Sequence, residues 1–160
     1  GHCALLARFL DADFVNLGFS GNAKGEPEMA RYIAGMEMSA FVLDYDHNTP
    51  NPEHLERTHG PFYDIVRQAQ PDLPIVLVSS PNSDTLKEGT QRRAVIRATY
   101  DRALAQGDRK VYYVPGDALL GRDHRECCRV DGTHPNDLGF MRMAETILPA
   151  LAAALESPRE

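Results

Sequence analysis

Pro74-Ile75-Val76-Leu77-Val78-Ser79-Ser80-Pro81-Asn82 is the stretch whose reading decides the fold. Its run of β-branched and leucine side chains leaves no polar face, so it reads as a strand buried on both sides. It then breaks at once into hydroxyl, proline and amide residues, the chemistry of a turn. Ser39 to Tyr45 repeats the pattern, its Ala40-Phe41-Val42-Leu43 opening into Asp44-Tyr45-Asp46-His47-Asn48. Lys110 to Val114 is a further strand, and Asp13 to Leu17 reads as a short one running into Gly18-Phe19-Ser20-Gly21-Asn22. Helical periodicity fills the intervals: Cys3 to Leu10, Glu26 to Met36, Pro52 to Gln70 with an interruption expected at Gly60-Pro61, Thr90 to Ala105, and Asn136 to Leu155. Strands alternating with helices predict a parallel sheet covered on both faces. Polar clusters follow the strands, where open α/β sheets place their ligands.

The 160 residues read as one domain, long enough to bury a core. Seventeen basic against twenty-three acidic residues give a net charge of −6, and no basic run offers a footing for nucleic acid. No apolar run is read as a membrane span and no signal peptide is recognised. Cys3, Cys127 and Cys128 form neither a disulfide framework nor a zinc ribbon, and His124 beside the pair does not make one. No metal or cofactor is expected. The cysteine usage points to a reducing, cytoplasmic setting.

The chemistry gathers near the C-terminus, in Asp131-Gly132-Thr133-His134-Pro135-Asn136-Asp137-Leu138-Gly139-Phe140. A carboxylate three residues before a histidine can accept from one ring nitrogen, fix the tautomer and leave the other free to take a proton from a hydroxyl. The competing reading is a plain loop with a surface histidine and a turn-forming aspartate. Two earlier loops weigh against it. Gly21 lies in a turn where a backbone N–H can approach a ligand, and Asn48 offers a side-chain amide. Two such donors converging near a histidine base are what acyl transfer requires.

Here the sequence resembles the SGNH/GDSL hydrolase family of esterases, acylhydrolases and some acyltransferases. Asn16-Leu17-Gly18-Phe19-Ser20-Gly21-Asn22 is similar to that family's second block, and Asp131-Gly132-Thr133-His134-Pro135 to its fifth. Asn48 stands where the third block's asparagine belongs, though without the usual Gly-x-Asn-Asp around it. The resemblance implies a three-layer α/β/α flavodoxin-like sheet and a carboxylic ester hydrolase acting on a small acyl ester. It assigns His134 as general base, Asp131 as its orienter, and Gly21 and Asn48 as oxyanion donors.

The family's Gly-Asp-Ser-type block does not occur in the chain. Its serine and a central strand are therefore expected upstream of Gly1, in a preceding segment or a fused N-terminal domain. That strand would lie between Asp13–Leu17 and Ser39–Tyr45. Ser20, Ser79 and Ser80 are weak substitutes; Gly18-Phe19-Ser20-Gly21-Asn22 has Asn22 where a nucleophile elbow needs glycine. Three other readings stand beside the hydrolase: an acyltransferase of the same family, a binding domain without the serine, and a magnesium-dependent haloacid-dehalogenase-like phosphatase. The last takes Asp44-Tyr45-Asp46 as nucleophile and acid–base pair. His2, His54 and His59 are expected at the surface, and Arg92, Arg93 and Arg97 on a solvated helix face near Glu88.

Overall fold

Three short parallel strands carry the architecture: β1 (Phe41–Leu43), β2 (Ile75–Val78) and β3 (Val111–Val114), in the order β1-β2-β3. The computed structural model describes residues 1–82 and 87–156. Phe41, Val42 and Leu43 stand opposite Ile75, Val76 and Leu77, and Ile75 to Val78 opposite Val111 to Val114. The central strand is β2, and all four of its side chains are fully buried. Burying each contributes about 1.5–3 kcal/mol, which is why this segment tolerates no polar residue.

Strand alternation divides the core in two. Leu43, Tyr45, Ile75, Leu77 and Val111 face α2 (Pro27–Ala34), α3 (Pro52–Ala69) and α4 (Gly89–Ala105). Val76, Val78 and Val114 face α1 (His2–Leu10) and α5 (Asp137–Glu156) through Leu6, Met143, Ile147 and Leu151. The result is the three-layer α/β/α arrangement expected from the alternation. α3 and α4 each lead from the end of one parallel strand to the start of the next, so their N-termini and the strand ends share one rim.

Several expectations need correction. Asp13–Leu17 forms no strand. It lies in the connection between α1 and α2, with Phe14 and Val15 exposed. An extended segment is held only by a ladder, and no described strand offers one here. Phe41 spends its amide on Pro74 O (2.9 Å), so alternation turns the Val42 N–H and C=O to an outer edge that no described strand covers.

α3 is continuous through Pro61. Pro61 and Arg57 both lie on the exposed face, so water can serve the carbonyl that the missing proline N–H leaves free. α5 is also long and apolar enough to cross a membrane, contrary to the reading of the sequence. Gly139, Met143, Ala144, Ile147, Leu151 and Ala154 form a stripe at helical spacing that packs onto the sheet, as a core helix does.

His59 is buried rather than at the surface, stacked on Tyr45 and 2.8 Å from Thr99 Oγ1 through Nδ1. Burial lowers it to about 4. Arg92 is buried too. Its Nη1 donates to Asp46 O (2.6 Å) and Thr49 O (3.0 Å), tying α4 to the turn after β1. Sequence periodicity placed these polar residues outside because it cannot see a partner forty residues away.

Candidate active site

The Asp131–His134 turn is built by its own backbone. Gly132 adopts φ +82°, a conformation that costs glycine little. That lets Asp131 Oδ1 accept from both Thr133 N (3.0 Å) and His134 N (2.8 Å). Val130 N donates to His134 O at 2.9 Å and closes the turn. Asp131 Oδ2 then meets His134 Nδ1 at 2.7 Å. The His134 amide, the ring N–H and the Thr133 amide hold the Asp131 carboxyl far below the usual carboxylate range. The group is therefore an acceptor only, so Nδ1 carries the proton and Nε2 is left as a base. The imidazole is largely exposed. Nothing among the described residues hydrogen-bonds its Nε2.

Asn136 joins this turn to α5. Its Oδ1 accepts from Gly139 N (3.0 Å), capping the helix, while Nδ2 donates to Cys127 O (2.7 Å). Asn136 N donates to Cys128 O (2.9 Å). The rim side of the loop is tied down by Asn82, just past β2, whose Nδ2 donates to Thr133 O at 2.7 Å. Sequence reasoning missed Asn82. The one signal was its place after a strand, in Ser79-Ser80-Pro81-Asn82.

Asn48 ends a 3-10 turn, Asp46–Asn48, immediately beyond β1. It shares the C-terminal rim with the His134 turn and is half-buried, its N–H donating to Tyr45 O (3.0 Å). Gly21 occupies the connection between α1 and α2 at φ +79°, exposed, with open space where a Cβ would project. The structure thus brings Asp131 and His134 into contact, sets Asn48 on the same rim, and leaves Gly21 in an exposed loop. Ser79 and Ser80 are enclosed. The Ser79 hydroxyl accepts from Gly116 N (2.8 Å), and the Ser80 hydroxyl accepts from Asn82 N (3.3 Å). Ser20 is exposed at φ 39°.

The acidic pair after β1 is built into the turn that follows the strand. Asp46 is fully buried, Oδ2 accepting from Ser80 N (2.9 Å) and Oδ1 facing His47 Nδ1 (3.4 Å). Its hydrogen bond raises His47 toward the protonated form. Asp44, Asp46 and His47 place ligand atoms within 4.8 Å of one another. The Ser80 amide on Asp46 and the Asp46–His47 contact brace this turn. Asp44 points to the α1 side, 4.0 Å from His2 Nε2, with Oδ1 enclosed and without a hydrogen-bond partner among the described residues. Burial pushes it up to about 7, against the pull of His47 and with the repulsion of Asp46.

Comparison with known proteins agrees with this architecture. The chain superposes on a putative GDSL-like lipase from Bacteroides ovatus with a TM-score of 0.83 and 31% identity, over 97% of this chain and 47% of that one. It superposes on SsfX3, a salicylyl-acyltransferase from a tetracycline biosynthetic pathway, with a TM-score of 0.82 and 24% identity, over 99% and 50%. A family two carbohydrate esterase from Clostridium thermocellum gives 0.75 and 19%, over 96% and 53%. The last two likenesses are of fold. The chain spans about half the length of each of these structures. No curated protein matches it. The profile of the GDSL-like Lipase/Acylhydrolase family matches residues 1–152, and the chain belongs to that family.

Proposed function

We propose that the chain carries the base, its orienter and the oxyanion donors of a Ser-His-Asp carboxylic ester hydrolase acting on a small acyl ester. The observation that carries this reading is the 2.7 Å contact between His134 Nδ1 and Asp131 Oδ2, with Nε2 open at the rim. The nucleophilic serine comes from a segment added as a strand along the outer edge of β1. Support for that placement is the uncovered Val42 backbone, the enclosed Asp44 Oδ1, and the exposed apolar side chains Phe14, Val15 and Phe19.

In this mechanism the serine Oγ attacks the ester carbonyl carbon as its proton passes to His134 Nε2. The carbonyl π pair moves onto oxygen, and that oxyanion is held by the Gly21 N–H and the Asn48 side-chain amide. Collapse restores the C=O and breaks the C–O bond to the alcohol, which leaves with the proton from Nε2. Water then repeats the sequence on the acyl-serine and releases the acid. Asp131 stays ionised and stabilises the imidazolium. No step needs a metal or cofactor. An alcohol in place of that water would make the same site an acyltransferase.

The test is hydrolysis of p-nitrophenyl acetate, with fluorophosphonate labelling, by the full-length polypeptide that contains this chain. His134→Ala should lower turnover by at least about 10³-fold and abolish labelling. Unchanged turnover in His134→Ala would overturn the assignment.

A further inference from the structure

We infer that Asn82 is a positioning residue that fixes His134 relative to Asn48, through a buried chain of hydrogen bonds crossing the rim. The inference rests on reading His134 as the base and Asn48 as an oxyanion donor. The chain begins in the turn that bears Asn48. There Asp46, with no exposed surface, accepts the Ser80 amide on Oδ2 at 2.9 Å. Asp46 cannot drift, because its own carbonyl accepts from Arg92 Nη1 (2.6 Å) and from Thr49 Oγ1 (2.7 Å). The Ser80 hydroxyl accepts from Asn82 N at 3.3 Å. The Asn82 side chain, 3% exposed, crosses to the catalytic turn and donates to Thr133 O at 2.7 Å.

That carbonyl belongs to the residue immediately before His134. The peptide joining the two is fixed on one side by Asn82 and on the other by Asp131 Oδ1, which accepts the His134 amide. A second tie runs parallel, Arg125 Nη2 to Pro81 O at 3.1 Å. Buried polar groups in such a series are held more rigidly than exposed ones, since water cannot substitute for a lost partner. The His134 ring is largely exposed, so its place depends on its backbone and on its contact with Asp131 Oδ2. Asp131 sets the tautomer; Asn82 sets where the base stands.

The test uses the 15N-labelled full-length polypeptide that contains this chain at pH 8, reading the imidazole 1H–15N correlations and amide hydrogen exchange. In the native chain the Asn82 side-chain amide protons should be protected from exchange. In Asn82→Ala and the near-isosteric Asn82→Asp, the His134 ring signals should shift toward those of a freely rotating histidine. Exchange at the His134 amide should speed up by about tenfold, as loss of one buried hydrogen bond implies. The His47 ring signals should stay in place. Unchanged His134 signals in a folded Asn82→Ala variant would overturn the role. So would bulk-rate exchange of the native Asn82 side-chain amide, whether or not the variants fold. These readouts require no turnover, so failure of the esterase reading would leave them standing and the two failures can be told apart.

Discussion

Asp131 meets His134 through both its carboxylate oxygens, Oδ1 taking the backbone N–H at 2.8 Å and Oδ2 facing ring Nδ1 at 2.7 Å. One side chain therefore sets the tautomer of the ring and holds the His134 amide, on the opposite side of the peptide from the tie that Asn82 makes to Thr133 O. Asp131→Asn keeps the shape but can offer an N–H to Nδ1, which favours the tautomer protonated on Nε2. In the imidazole 1H–15N spectrum the proton should move from Nδ1 to Nε2. If the proposed function holds, ester turnover by the full-length polypeptide should fall by about 10⁴. An unaltered tautomer would show that the carboxylate does not control the ring.

The same hydrogen bonds set a pH dependence. Asp131 is lowered from the ordinary carboxylate value of 3.8, so the folded carboxylate stays charged where the unfolded one takes up a proton. Its contribution to stability is full above that unfolded value and is lost as pH falls through the lower, folded one. At pH 3 the Asp131 side-chain carbon should still show the carboxylate 13C shift. A midpoint near 3.8 in that titration would mean that the turn is not formed in solution.

Asp44 works in the opposite sense. Held near 7 by burial, it keeps a proton in the fold that the unfolded chain releases near 3.8. Stability therefore declines as pH rises between these values, and the whole loss is present above 7. Asp44→Asn has nothing to ionise. Its urea midpoint should gain on the native chain between pH 4 and pH 8, by at least about 1 kcal/mol in unfolding free energy. A constant difference across that range would show that Asp44 ionises freely in the fold. If a strand then added beside β1 supplies donors to Oδ1, the difference should shrink on its addition.

His59 titrates across an overlapping window with the contrary slope. It is neutral in the fold down to about 4, while the unfolded chain gains its proton near 6.5. Stability from keeping it neutral is complete above 6.5 and is lost as pH falls toward 4, by an amount on the order of 3 kcal/mol. His59→Phe retains a ring against Tyr45 and removes the proton site, although it gives up the bond to Thr99. Its urea midpoint should lose less than the native midpoint as pH drops from 7 to 4.5. Parallel curves would place the origin of the acid sensitivity elsewhere.

What could be read from sequence follows the range of the interactions. β2 was legible because Ile75 to Val78 is apolar on both faces, and the Asp131–His134 pair because its members are three residues apart with Gly132 between them. The Asp13–Leu17 strand was misread because a strand needs a neighbour that its own residues cannot specify. Gly60-Pro61 looked like a break because its sequence does not reveal that the proline lies on the solvent face. Asn82, Arg92 and His59 escaped because their partners Thr133, Asp46 and Thr99 are remote in the chain. A polar side chain on an otherwise ordinary helix or turn gives no sign of such a partner.

Gly139 tests how tightly His134 is coupled to the helix behind it. A Cβ built there would lie 2.3 Å from Cys128 O and 3.0 Å from the Pro135 Cβ. Neither neighbour can swing aside as a flexible side chain would, because Cys128 O already accepts the Asn136 amide and Pro135 is fixed by its ring. Gly139→Ala must therefore push the start of α5 away from the 127–136 loop, at a cost of about 1–3 kcal/mol. The melting temperature should fall by on the order of 5 °C. Because Asn136 caps α5 and also holds Cys127 O, the displacement should reach the Asp131–His134 turn and broaden the His134 ring signals. Gly121→Ala is the control for strain alone. It too has a positive φ (70°), but its Cβ would come no nearer than 3.6 Å to the end of the Arg142 side chain. It should lower the melting temperature while leaving His134 sharp. Equal broadening in both variants would mean that the His134 turn responds to lost stability in general, and that its position is not set by the contact between Gly139 and Cys128.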